Sequence, residues 1–104
     1  MPAPPELSPE QRRAALEKAA AARRERAELK EKLKMGSISL GDLFQQADNS
    51  DVVAKMKVVA VLESLPGVGK VKARKLLEKH EISESRRVRG LGNKQRGALL
   101  SEFG

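Results

Sequence analysis

Large apolar residues are spread unevenly along the 104-residue chain. Between Pro9 and Met35 the only ones before the last position are Leu16, Leu29 and Leu33, and alanines supply the rest of the apolar surface. Glu, Lys, Arg, Ala and Leu dominate this stretch, which holds no glycine and no proline after Pro9. Such a composition favours helix even without packing. Ser8 can cap it, Pro9 suits its first turn, Gln11 completes a capping box, and Gly36 ends it. The reading is one helix over residues 9–35, about 27 residues and roughly 40 Å long. Its first half can bury little and should project, while Leu29 and Leu33, one turn apart, dock its second half. The Pro-rich start, residues 1–8, reads as an arm that is disordered when free.

Beyond Ser39 apolar residues become dense. Ser39 caps a short helix with Asp42 at its third position and Leu40, Leu43 and Phe44 on its buried face. Asn49-Ser50-Asp51 marks a break. Residues 51–64 read as helix, in one piece or in two around Lys55-Met56-Lys57. The valines would suit a strand, but no partner strand pattern exists elsewhere in the chain. Met56, Val58, Val59, Val61, Leu62 and Leu65 form a broad apolar surface. Residues 68–79 are amphipathic, with Val68, Val71, Leu76 and Leu77 inward and Lys70, Lys72, Arg74, Lys75 and Lys79 outward. Glu81-Ile82-Ser83 is a turn. A second glycine-marked turn, Arg86 to Asn93, follows. Asn93 is expected to cap a last helix over residues 94–103, anchored by Leu99, Leu100 and Phe103. Phe44 and Phe103 both read as core residues. The expected fold class is all-α: an arm (1–8), a long N-terminal helix (9–35) and a compact helical domain (36–104).

Composition narrows the chemistry. The chain has no cysteine, so neither a disulfide framework nor a thiolate metal site is available. No apolar run approaches the ~20 residues that span a bilayer, and the N-terminus lacks the features of a signal peptide. A cytoplasmic protein is expected. The net charge is +7, and all of the excess lies after residue 51, in the half that carries both glycine turns. That placement points to a polyanion. A membrane surface fits less well, because the basic helices lack apolar-face Trp or Phe. Asp42, Asp48 and Asp51 read as caps and turn residues, and His80 as a partner of a helix end, so no metal or cofactor site is expected.

The most informative stretch is Leu65-Pro66-Gly67-Val68-Gly69-Lys70. Two glycines let the backbone turn tightly before a basic helix. The unpaired first-turn amides and the positive end of the helix dipole then make a phosphate site. Lys70 and Lys72 add charge. Arg86, Arg87 and Arg89 mark a second basic turn, with Asn93 and Lys94 following it. Lys55 and Lys57 suit either solvent or phosphate. Arg23, Arg24 and Arg26 on the long helix suit either a solvated face with intrahelical pairs such as Glu28–Lys32, or a backbone contact.

The hairpin Leu65-Pro66-Gly67-Val68-Gly69, with Lys70-Val71-Lys72-Ala73, resembles that of helix-two-turns-helix proteins. Ile82 with Arg86-Arg87-Val88-Arg89-Gly90-Leu91-Gly92 resembles their second turn. Ser8-Pro9-Glu10-Gln11-Arg12, Ala14-Ala15-Leu16-Glu17-Lys18-Ala19 and Lys55-Met56-Lys57-Val58 extend the likeness to nearly the whole chain. Together they are similar to the actinobacterial integration host factor family of nucleoid-associated proteins. The resemblance implies a nucleoid-associated binder of double-stranded DNA without strong sequence preference, and the chain is expected to be non-enzymatic and monomeric. Such a protein compacts or bends DNA and assists site-specific recombination, with a recombinase acting on the same DNA. By motif match Pro66, Gly67, Val68, Gly69, Lys70 and Lys72 would hold one phosphate run, and Arg86, Arg87 and Arg89 another.

The residues agree independently. Backbone amides discriminate little between sequences, and no helix carries the Asn, Gln and Arg mixture of a major-groove reader. Without Trp or Tyr, base stacking has no platform. Two other functions share the module. A ribosomal-type RNA binder is the alternative, disfavoured by the long N-terminal helix and the lack of a very basic tail. A glycosylase would use an N-terminal proline, and Pro2 becomes N-terminal if Met1 is removed. However, Ala3 stands where an acid is expected, and no second domain offers a base pocket.

Overall fold

The structure is a computed structural model and describes residues 8–103. The Pro-rich segment 1–7, including Pro2, lies outside the described residues, as does Gly104. Six α-helices follow one another: α1 (Pro9–Met35), α2 (Leu40–Ala47), α3 (Asp51–Ala54), α4 (Val58–Ser64), α5 (Gly69–Lys79) and α6 (Asn93–Phe103). A 3-10 turn, Val88–Gly90, lies between α5 and α6.

Local sequence accounts for most of these boundaries. Ser8 accepts from the Gln11 amide at 3.1 Å and Gln11 Oε1 accepts from the Ser8 amide at 3.0 Å, a complete capping box. Ser39 and Asp42 repeat it on α2. The Ser39 amide holds the Asp42 carboxyl below its ordinary value. Gly36 ends α1 in the left-handed region, with the Ser37 amide reaching back to the Lys32 carbonyl at 2.8 Å. Ser50 caps α3, and its hydroxyl also meets Glu25 of α1 at 3.4 Å.

Packing then assembles a body around α4, which lies against α5 and α1, while α2 contacts α3 and α6. Leu33, Leu43, Val53, Val61, Leu62, Val88 and Leu99 are fully shielded from solvent. Leu29 and Leu33 tie the end of α1 into this core, whereas residues 9–21 are exposed throughout. The overhang lengthens the molecule to 50 × 33 × 25 Å, with a radius of gyration of 16.3 Å. A globule of this length would have a radius of about 13 Å.

Four expectations are corrected. Val71 is 69% exposed rather than inward. The buried face of α5 is Ala73, Leu76 and Leu77, and Val71 stands on the opposite side of the helix. Val68 is buried, but it precedes α5, and the left-handed Gly69 resets the helical phase between the two valines. Phe103 and Leu100 are 38% and 37% exposed, because α6 seats only Leu99 in the core. Asn93 does not cap α6. Gly92 holds the cap position, its carbonyl accepting from the Arg96 amide at 3.0 Å and its amide bonding Gln95 Oε1 at 3.1 Å. Finally, none of the ion pairs among the described residues lies within α1.

Candidate nucleic-acid interface

The first glycine turn is built by the end of α4. Leu65, ahead of a proline, takes the extended conformation that proline imposes. Its carbonyl accepts from the Val68 amide at 3.2 Å, closing a four-residue turn with Pro66 second and Gly67 third. Gly67 has φ +74°, the type II signature, and Gly69 has φ +69°. A Cβ on either glycine would meet nothing within 4 Å, so backbone conformation alone requires glycine there. Leu65 and Val68 sink into the core as the hairpin's two anchors, leaving Pro66 and Gly67 at the exposed tip. α5 then begins without a side-chain cap. Its first-turn amides are therefore free for an external acceptor, with Lys70 and Lys72 exposed beside them.

The second turn is stitched to the chain between α3 and α4. Val88 donates to Met56 O and Val58 to Arg86 O, both at 2.9 Å, which pairs Lys57 with Arg87 in one antiparallel bridge. Arg87 Nη1 also reaches Lys55 O at 3.2 Å. Backbone pairing over thirty residues of sequence thus joins the Lys55–Lys57 loop to the Arg86–Arg89 turn as one basic unit.

This unit faces α1. Arg26, Lys30, Lys55, Lys57 and Arg87 line one depression with Met56 and Ala60, and no carboxylate lines it. Lys30 and Ala60 also line a second depression, with Lys34, the hairpin residues Leu65 to Gly69, and Lys70. Glu31 and Glu63 share that second wall. Hairpin, α1 and second turn therefore border one continuous strip. Arg12, Arg23, Arg26, Lys30 and Lys34 fall in one sector of α1 on a helix of 3.6 residues per turn. The five carboxylates of α1, at residues 10, 17, 25, 28 and 31, fall outside that sector. Among the described residues no charged side chain is buried, so the cations face water.

Of the expected contact residues, the strip brings together Pro66, Gly67, Val68, Gly69, Lys70, Lys55, Lys57 and Arg87. Lys72, Arg86, Arg89, Asn93 and Lys94 line neither depression. Arg26 was readable in the sequence only as part of a mid-helix cluster, and Lys30 not at all. Their placement depends on which face of α1 Leu29 and Leu33 bury. Among the described residues, no group of three or more His, Cys, Asp or Glu is placed to hold a metal ion. Among the same residues, no helix is long and apolar enough to cross a membrane.

Fold and turns define a class: residues 33–103 match the S13-like H2TH domain. Relatives matched over nearly their whole length carry the name integration host factor. That of Streptomyces coelicolor is 62% identical over 100 residues, spanning 96% of this chain and 94% of the relative. That of Mycobacterium tuberculosis is 57% identical over 100 residues, spanning 96% and 95%. A solved structure described as sIHF bound to an 8-base-pair palindromic DNA superposes with a TM-score of 0.82 at 60% identity. It covers 85% of this chain and 99% of its own. The chain belongs to the integration host factor family.

Proposed function

We propose that this protein is an architectural, nucleoid-associated binder of double-stranded DNA that grips the phosphate backbone without strong sequence preference. The observation that carries this reading is the acid-free notch of Arg26, Lys30, Lys55, Lys57 and Arg87 beside the glycine hairpin. Cationic side chains and backbone amides neutralise phosphates, which sets affinity and register but carries no sequence information. The structure described with DNA supports the duplex as ligand. Pro66, Gly67, Val68, Gly69, Lys70 and Lys72 form the first contact. Arg87 and Arg89, with Lys55 and Lys57, form the second. Asn93 and Lys94 extend it along the first turn of α6.

The chain is read as non-enzymatic and monomeric. Holding a duplex against both an extended helix and a compact body favours a curved path, which serves compaction and the approach of a site-specific recombinase to its DNA. Bending costs a few kcal/mol and is offset by the added contacts.

Amide chemical-shift mapping with a short duplex tests the interface. Perturbations are expected at residues 66–72 and 86–89, at Lys55 and Lys57, and along α1 at Arg26 and Lys30. Changes confined to other faces would refute the assignment. A matched RNA duplex that binds while DNA does not would favour the ribosomal-type reading.

A further inference from the structure

Arg86 differs from Arg87 in where its guanidinium is held: Arg87 Nη1 reaches out of the second turn to Lys55 O, whereas Arg86 bonds within the turn itself. Arg86 Nη1 donates to the Gly90 carbonyl at 2.8 Å, spanning Arg87 to Arg89. Its backbone is engaged at both ends: the amide donates to Ser83 O at 3.0 Å and the carbonyl accepts from Val58 N at 2.9 Å. The Gly90 amide closes the same turn on Arg87 O at 2.9 Å.

Gly90 supplies the second observation. Its φ is not positive, unlike those of Gly36, Gly67 and Gly69. Backbone conformation therefore does not call for glycine at this position. A Cβ there would lie 2.9 Å from Arg86 Cδ, closer than two carbons pack, so a side chain at this position would displace the exposed Arg86 stem. A Cβ added to Gly92, two residues on, would meet nothing within 4 Å. Gly90 is thus the seat for the Arg86 stem.

We propose that Arg86 is a positioning residue whose side chain clamps the 86–90 turn, with Gly90 shaped to admit it, so that Arg87 and Arg89 are presented to the phosphate backbone. This rests on reading the turn as a phosphate contact. It assigns the three arginines unequal roles, which their run in the sequence conceals. Because Arg86 O also takes the first amide of α4, loosening the clamp disturbs the Lys55–Lys57 loop as well.

Salt dependence separates the roles. Removing one neutralised phosphate lowers the slope of log K against log salt by about 0.9, whereas breaking a positioning bond lowers affinity at every salt alike. The full chain is titrated with one duplex over a salt series as Arg86→Ala, Gly90→Ala, their double variant and Arg87→Ala. Arg86→Ala and Gly90→Ala are each expected to weaken binding about three- to tenfold, the worth of one hydrogen bond, with the parent slope retained. The double variant should be no weaker than the worse single one, since both break the same bond. Arg87→Ala should flatten the slope.

Amide exchange without DNA supplies an independent readout. Gly90 and Leu91 should exchange faster in Arg86→Ala and in Gly90→Ala, at unchanged helical content. A slope for Arg86→Ala flattened as much as for Arg87→Ala would overturn the proposal. So would unchanged exchange at Gly90 and Leu91. If Arg87→Ala and Lys57→Ala leave both affinity and slope untouched, the duplex reading itself fails, while exchange still decides the clamp.

Discussion

At Gly67 one backbone angle decides whether the hairpin forms. Its φ of +74° lies in the left-handed region, which costs an L-residue about 1–2 kcal/mol, more when the residue is β-branched. Gly67→Val is expected to destabilise the fold by about that amount and to weaken duplex binding. Thermal melts with a binding titration read both. A Gly67→Val protein with parental melting and affinity would contradict the hairpin's assigned geometry. The paired glycines after Pro66 make this turn legible, since Pro followed by left-handed Gly is a local rule. The roles of Gly90 and Arg86 are not legible in the same way. Nothing in a sequence distinguishes a glycine needed for its angle from one needed for its missing side chain.

Among the helices, α6 buries the fewest residues. It seats only Leu99 in the core and relies on polar ties at both ends. Arg96 meets Asp48 at 3.2 Å and stacks over the Phe44 ring at 5.5 Å, while Glu102 receives Lys79 at 2.6 Å and His80 at 3.0 Å. Hydrogen bonds from Lys79 and then His80 hold the Glu102 carboxyl below its ordinary value of 4.5. A carboxyl depressed on folding contributes stability above its unfolded value and loses that contribution as pH falls through the folded one. Glu102→Gln should therefore melt below the parent at neutral pH, and the gap should close under acid. A gap independent of pH would reject the tie.

Gly97 lies within α6, at ordinary φ, with nothing within 4 Å of an added Cβ. Gly97→Ala is expected to raise stability by about 0.5–1 kcal/mol, read as a higher denaturation midpoint at unchanged slope. Capping chemistry made the ends of α1 and the start of α2 readable, because those bonds span three residues. Where control is long-range, the sequence falls silent. Periodicity carried across Gly69 put Val71 on the wrong face. The break at Lys55–Lys57 is held by the Arg86–Val88 backbone, some thirty residues away.

For the molecule as a whole, the proposed grip depends on where α1 leaves the body. The all-α class and a projecting helix follow from thin apolar content before Leu29. The basic notch does not, because it is assembled from α1, the Lys55–Lys57 loop and Arg87 by tertiary packing. If α1 shares the load, replacing Arg26 and Lys30 with Ala should weaken duplex binding and reduce the salt slope by about 0.9 for each phosphate no longer neutralised. An unchanged slope in that double variant would confine the interface to the two turns. The most direct measurement is the salt dependence of the parent's affinity for two duplexes of unrelated sequence. Neutralising four to six phosphates predicts slopes of about −4 to −5 for both, with similar affinities. A shallow slope, or strong preference for one sequence, would contradict a backbone grip.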